Sequence, residues 1–175
     1  MKRINLLAGA LFVAALGFTA CSDDDNDKTD VTIAGTYELE EVNTEAATDF
    51  NLNGTPHIDQ TEESNCYDAG KIVLREDSTF TYTITGILVD ASTGSSGCLS
   101  SVNVSGTWEA DGTGNNAVIS AAYEDQNGDD QIITLTKSGD KLTLVDDNIL
   151  SRYPDRNDAG GATYTSGSIT YVFEK

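Results

Sequence analysis

Hydrophobic and polar residues alternate along most of this 175-residue chain, most strictly between Thr79 and Thr85. There Phe80, Tyr82 and Ile84 take every second position, and threonines stand between them. Because successive side chains of a β-strand point to opposite faces, this segment predicts a strand with one buried face and one exposed face. The 3.6-residue repeat of an amphipathic helix does not fit the pattern.

The same period of two predicts eight strands. They are expected at residues 33–43, 71–75, 79–89, 99–109, 117–123, 131–136, 141–145 and 168–174. Turn-forming pairs such as Asn127-Gly128 and Ser138-Gly139 link several of them, so consecutive strands are expected to be antiparallel neighbours. An eight-stranded antiparallel meander closes most naturally into an up-and-down β-barrel, because closure leaves no unpaired edge. A two-sheet sandwich is the alternative.

Three connections between these strands are long, at residues 44–70, 90–98 and 146–167. Long loops in compact domains usually carry function or move. The first of them has a weak helical signal near residues 44–47, so a short helix is an expectation there.

The N-terminus has the parts of a secretory signal: the basic pair Lys2-Arg3, an apolar run over residues 4–18, and small residues before Cys21. The run is shorter than the roughly 20 residues that a membrane-spanning helix needs. Phe18-Thr19-Ala20-Cys21 resembles the lipobox of bacterial lipoproteins. That resemblance implies removal of residues 1–20 and acylation of Cys21. The alternative is an ordinary cleaved signal with Cys21 as a disulfide partner.

An acidic segment, Ser22-Asp23-Asp24-Asp25-Asn26-Asp27, follows the cysteine. It resembles the short export signal that places some outer-membrane lipoproteins on the cell surface; a solvated spacer is the alternative. Residues 21–32 are therefore expected to form a lipidated tether ahead of a single barrel domain at residues 33–175. Removal of the signal changes the formal net charge from −19 to −21, since Lys2 and Arg3 are its charged residues. Such a charge argues against a nucleic-acid partner.

Two cysteines, Cys66 and Cys98, remain once Cys21 is assigned to lipid. An oxidising compartment permits them to pair, which would fasten the first long connection to the end of the second. A zinc site would need two more ligands, and the single His57 cannot complete a familiar set.

Several different short motifs are spread along the domain. They are Ile33-Ala34-Gly35-Thr36-Tyr37-Glu38-Leu39, a cysteine before Ile72-Val73-Leu74, Asp77-Ser78-Thr79-Phe80, a second cysteine, and Gly106-Thr107-Trp108. Together they resemble the lipocalin-like domain of bacterial surface lipoproteins, over residues 33–175. The resemblance implies a lipocalin-like barrel and little mechanism, because most members have no assigned function. Tyr37 departs from the tryptophan that is common in the first strand of the family.

The interior of an eight-stranded barrel is either filled by side chains or holds one small molecule. Residues that could line a ligand are Tyr37, Tyr82, Trp108, Tyr123 and Tyr171. Tyrosine hydroxyls would then orient the ligand within an apolar pocket. The same side chains also fill cores, and base rates slightly favour the packed interior.

Catalysis and metal binding have weak support. His57 stands without a serine elbow motif, so we expect no enzyme and no cofactor. Asp125, Asn127 and Asp129 offer oxygens to calcium, but the segment lacks the full binding loop and also fits a plain hairpin turn.

Two functions are therefore expected as alternatives. The first is a lipid-anchored outer-membrane protein, exposed at the cell surface, whose barrel binds a small apolar or amphipathic ligand. The second is a non-enzymatic surface module with a packed interior, whose long loops contact a protein or glycan. In both cases we expect a monomer that reaches the membrane through its lipid anchor.

Overall fold

The computed structural model describes residues 32–148 and 150–175. The expected signal peptide, Cys21 and all of the tether except Thr32 lie outside the described residues. The described chain forms thirteen strands, with a 3-10 helix at Asn65–Tyr67 between the second and third. The strands are β1 (Gly35–Thr48), β2 (His57–Asp59), β3 (Lys71–Leu74), β4 (Thr79–Ile84), β5 (Ile87–Asp90), β6 (Ser95–Cys98), β7 (Val102–Thr113), β8 (Asn116–Glu124), β9 (Asp130–Ser138), β10 (Lys141–Asp146), β11 (Arg152–Arg156), β12 (Ala162–Ser166) and β13 (Ile169–Glu174).

Eight strands form a closed antiparallel barrel in the order β1-β3-β4-β7-β8-β9-β10-β13, and β13 pairs back onto β1. The start of β1 pairs with β3, where Gly35 faces Leu74. The later part of β1 pairs with β13, where Thr44 faces Ile169. A register shift between Leu39 and Glu41 marks an irregularity in the β1–β13 ladder. The predicted eight-stranded up-and-down barrel is confirmed.

Several predicted element boundaries were wrong. The predicted strand 79–89 divides into β4 and β5, and β5 leaves the barrel to pair with β6 in a separate hairpin. The helix expected at 44–47 is instead part of the end of β1, because β2 pairs there. The buried Thr44 hydroxyl lies within hydrogen-bond distance of the carbonyls of Ala46 and Ile58. The expected loop 146–167 contains the β11–β12 hairpin.

The main core fills one end of the barrel, which we call the closed end. Its fully buried side chains are Tyr37, Ile72, Leu74, Phe80, Ile119, Leu135, Leu142 and Phe173. Lys175 covers this end: its Nζ lies 5.7 Å from the centre of the Tyr37 ring and donates to the carbonyls of Thr32 and Ala34. The chain therefore enters the barrel at its closed end.

A second cluster packs the segments that leave the barrel against β1 and β13. Its buried members are Val42, Phe50, Tyr67, Ile87, Tyr153, Ala162 and Ile169. The β5–β6 and β11–β12 hairpins meet there, since the Ala162 amide donates to the Gly94 carbonyl and the Val89 amide donates to the Tyr164 hydroxyl. The long connections are thus folded against the barrel. Among the described residues, no helix is long and apolar enough to cross a bilayer.

Candidate functional site at the open end of the barrel

A layer of tyrosines lies above the closed-end core. We call Tyr82, Tyr123 and Tyr171 the tyrosine tier; each occupies an inward position of its strand, on β4, β8 and β13. Two members rest on the rings below them. Tyr82 meets Phe173 edge-on at 5.9 Å between ring centres, and Tyr123 meets Phe80 at 6.3 Å. Such edge-to-face contacts hold the rings in fixed orientations and set the floor of the open end.

The barrel wall opens beside this tier, between β9 and β10. Pairing of the two strands ends where Leu144 faces Leu135. Beyond that point, Val145 and Asp146 pair only with β13, and residues 131–134 pair only with β8. Two antiparallel neighbours therefore separate toward the open end and leave a slot in the wall.

A cavity of about 400 Å³ fills the slot and reaches the tyrosine tier. Its lining residues are Tyr82, Ile132, Ile133, Thr134, Leu144, Val145, Asp146 and Tyr171. The volume lies within the roughly 300–1,000 Å³ range of small-molecule sites. Four apolar side chains and the two tyrosine rings make most of the wall, with the phenol hydroxyls, one threonine and one carboxylate as its polar groups.

The cavity tyrosines stay neutral at physiological pH. Burial raises the pKa of Tyr171 to about 12, and the charge of Asp146 adds to the rise. Burial also raises the pKa of Tyr82 above its ordinary value, with further contributions from Tyr171, Tyr123 and Asp146. Both phenols can therefore donate a hydrogen bond to a ligand, since neither is ionised.

A family comparison bears on this geometry. The family model of the lipocalin-like domain matches residues 33–144, which is more than half of the chain. The chain belongs to the lipocalin-like domain family. The comparison with curated proteins and the comparison with solved structures each gave no significant match.

The family match covers β1 to most of β10, and β13 lies beyond it. This lipocalin-like barrel nevertheless depends on β13, which pairs with both β10 and β1. Tyr171, a wall of the cavity, also comes from β13. The unmatched C-terminal residues therefore complete both the barrel and its candidate site.

The five aromatic residues that were predicted to line a ligand lie at two different ends of the barrel. Tyr82 and Tyr171 line the cavity, and Tyr123 belongs to the same tier. Tyr37 lies at the closed end, where its hydroxyl donates to the Ile33 carbonyl at 2.7 Å. Trp108 lies there too, and its indole Nε1 donates to the Arg75 carbonyl at 3.0 Å. These last two side chains hold the closed end of the lipocalin-like barrel and do not reach the cavity.

Sequence reasoning missed Asp146 as a site residue. The alternation on β10 puts Leu142 and Leu144 inside the barrel, and Asp146 takes the next inward position. The signal was present in this spacing, but an acid at the end of a strand was interpreted as the start of a loop. The alternation on β10 therefore indicated a carboxylate that faces inward among apolar residues at the open end of the barrel.

The calcium candidates form a tight turn between β8 and β9. The Asp125 carboxylate accepts hydrogen bonds from the amides of Asn127 and Asp129, at 2.8 and 3.0 Å. Gly128 takes a positive φ of 84°, which a glycine adopts without strain. Across the described residues, no three or more His, Cys, Asp or Glu side chains converge as a metal site.

The predicted pairing of Cys66 with Cys98 is present as a disulfide. It joins the 3-10 helix to the end of β6, on the side of the mouth that the second cluster covers. His57 lies in β2, and its main-chain carbonyl accepts a hydrogen bond from the Gln60 side chain. The bridge thus holds the folded connections beside the mouth of the lipocalin-like barrel.

Raising the pH should destabilise the protein through Tyr171. Its pKa in the folded chain, about 12, exceeds the unfolded value of about 10. Unfolded chains then release the phenol proton first, so the contribution of Tyr171 to the free energy of unfolding is constant below about pH 9 and falls between about pH 10 and 12. Ultraviolet absorbance titration combined with urea unfolding would measure both effects.

The matched control is Tyr171→Phe, which keeps the ring and removes the phenol. Its absorbance change on titration should be smaller above pH 11, and its free energy of unfolding should fall less steeply over the same window. Ionisation of Tyr171 near pH 10 in protein that is still folded would contradict the expectation.

Proposed function

We propose that this protein is a binding protein, not an enzyme, and that it holds a small apolar or amphipathic ligand in the cavity at the open end of its barrel. The observation that carries the proposal is the slot between β9 and β10, which joins a 400 Å³ cavity to solvent. Ile133 and Leu144 offer an apolar wall, and the neutral phenols of Tyr82 and Tyr171 offer orienting hydrogen bonds. Small-ligand binding is also what a lipocalin-like barrel suggests in general.

We further propose that Cys21 carries lipid and anchors the protein to the outer membrane, facing the cell exterior. The support is the lipobox-like segment that ends at Cys21 and the acidic residues after it. Since the chain enters the barrel at the closed end, near Thr32, such a tether would attach opposite the cavity. The open end would then face away from the membrane, toward ligands in solution.

Filling the cavity should weaken ligand binding. We expect Leu144→Trp to weaken binding of the neutral fluorescent probe N-phenyl-1-naphthylamine at least tenfold, because the larger side chain occupies the slot. Val118→Trp is the matched control, since Val118 is 45% exposed on the outer face of β8. Fluorescence titration of the full chain would compare both variants with the wild type.

Two results would contradict this function. One is an absence of saturable probe binding to the wild type; the other is equal weakening by both tryptophan variants. Native mass spectrometry of protein taken from its own membrane gives an independent readout, since a bound small molecule would add a defined mass. Absence in both experiments would favour the alternative, in which the folded connections contact a protein or glycan.

A further inference from the structure

Within the part of the chain that the structure describes, Asp146 is the one charged residue that lines the cavity, and it faces inward. On β10 it follows Leu142 and Leu144 at alternate positions, so its carboxylate continues the inner face of the wall. The other inward charge on these two strands is Lys137 of β9, which lies at the closed end, where its Nζ donates to the Gly139 carbonyl. Among the described residues, no lysine or arginine lines the cavity beside Asp146.

Asp146 has an oxygen available for a ligand. Its Oδ1 accepts hydrogen bonds from the Ser151 hydroxyl and the Asn148 amide. Its Oδ2 accepts none from the described residues. A carboxylate has about four acceptor sites, so a donor brought by the ligand would add a charge-assisted hydrogen bond.

Two phenol rings share the cavity with this carboxylate. Tyr82 and Tyr171 both line it, and neither hydroxyl has a hydrogen-bond partner among the described residues. The face of an aromatic ring is negative and attracts a cation within about 6 Å, most strongly where water is excluded. The two rings and the carboxylate therefore both favour a positively charged group on the ligand.

The two arginines of β11, Arg152 and Arg156, make their contacts with other aromatic rings. The Arg152 guanidinium lies 5.3 Å from the centre of the Tyr164 ring, and Arg152 lines a second cavity of about 240 Å³ that Tyr171 also lines. The Arg156 guanidinium lies 4.2 Å from the Phe50 ring centre, and its Nε donates to the Phe50 carbonyl. Neither arginine forms an ion pair with Asp146 among the described residues.

We propose that the ligand is an amine: an apolar body carrying a protonated amino group, which binds between Asp146, Tyr82 and Tyr171. The inference rests on the proposed function and deepens it. The ammonium group donates to Asp146 Oδ2 and lies against the two rings, while the apolar body packs on Ile133 and Leu144. A ligand with a carboxylate head would instead place two like charges together in a partly dehydrated site, which is unfavourable.

The test compares three probes with the same eight-carbon chain: octylamine, 1-octanol and octanoate. Isothermal titration calorimetry on the full chain at pH 7 should show octylamine binding at least tenfold more tightly than 1-octanol, and octanoate binding most weakly. This comparison uses the wild type and depends on no variant. Tighter or equal binding of octanoate would overturn the inference.

Asp146→Asn tests the assigned residue. It keeps an oxygen for the Ser151 hydroxyl and removes the charge, so the preference for octylamine over 1-octanol should fall below about threefold. Glu109→Gln is the control, because it makes the same charge change at an exposed position of β7. An unchanged preference in Asp146→Asn would overturn the inference.

The outcomes separate this inference from the proposed function. Equal binding of all three probes contradicts the amine preference and leaves ligand binding intact. Failure of all three probes, together with failure of N-phenyl-1-naphthylamine, contradicts ligand binding itself.

Discussion

Replacing Phe80 with alanine should lower the free energy of unfolding by about 3–5 kcal/mol, the usual cost of truncating a buried phenylalanine. Phe80 has no solvent exposure and supports the Tyr123 ring from below. The substitution removes apolar contacts and leaves a cavity that strands paired on both sides cannot close. Urea unfolding followed by circular dichroism would measure the change.

Ile132→Ala is the matched control for Phe80→Ala. Ile132 is 70% exposed on β9, so its truncation should change the free energy of unfolding by no more than about 0.5 kcal/mol. A loss below about 1 kcal/mol for Phe80→Ala would show that the closed end is not the stabilising core. Similar losses for the two variants would mean the same.

The barrel strand β4 is the part of the fold that the sequence predicts best. Phe80, Tyr82 and Ile84 alternate strictly, and the structure places all three inside the barrel. Short turns also indicate which strands are neighbours. The Asp77-Ser78 turn, in which Ser78 has a positive φ of 63°, joins β3 to β4, and these two strands pair. The alternation of hydrophobic residues and the residues of a tight turn both act within a few positions of the chain. They can therefore be identified from the sequence alone.

Pairing partners are harder to predict. Residues 87–89 continue the pattern of β4, yet they pair with β6 outside the barrel, because alternation indicates a strand and not its neighbour. Gly106 shows a similar limit. A Cβ there would lie 1.9 Å from the Ala122 carbonyl oxygen, a close approach between β7 and β8 that no local pattern indicates.

The candidate site could be predicted from the sequence only in part, as the fold could. Alternation correctly places Tyr37, Tyr82, Trp108 and Tyr171 on the inward face. It does not say which end of the barrel each one occupies, and that depends on register. Tyr82 and Tyr171 reach the slot, whereas Tyr37 and Trp108 lie at the closed end. The slot itself arises where β9 and β10 stop pairing, which is a tertiary feature.

Removing the disulfide should also have a large effect. The double variant Cys66→Ser/Cys98→Ser is expected to lose about 3–4 kcal/mol of unfolding free energy, because the bridge closes a loop with a sequence separation of 32 residues. The unfolded chain gains the freedom that the bridge removes. Thermal and urea unfolding of the full chain would measure the loss, and wild-type protein treated with a reductant should show the same shift.

The position of the bridge predicts which property survives its removal. It fastens the 3-10 helix and buried Tyr67 to β6, in the second cluster, whereas the cavity lies between β9 and β10. At temperatures where the double variant is folded, N-phenyl-1-naphthylamine should therefore bind within about threefold of its wild-type affinity. A loss of stability below about 1 kcal/mol would contradict the entropic role of the bridge. A large loss of affinity in folded protein would instead show that the second cluster holds the slot in shape.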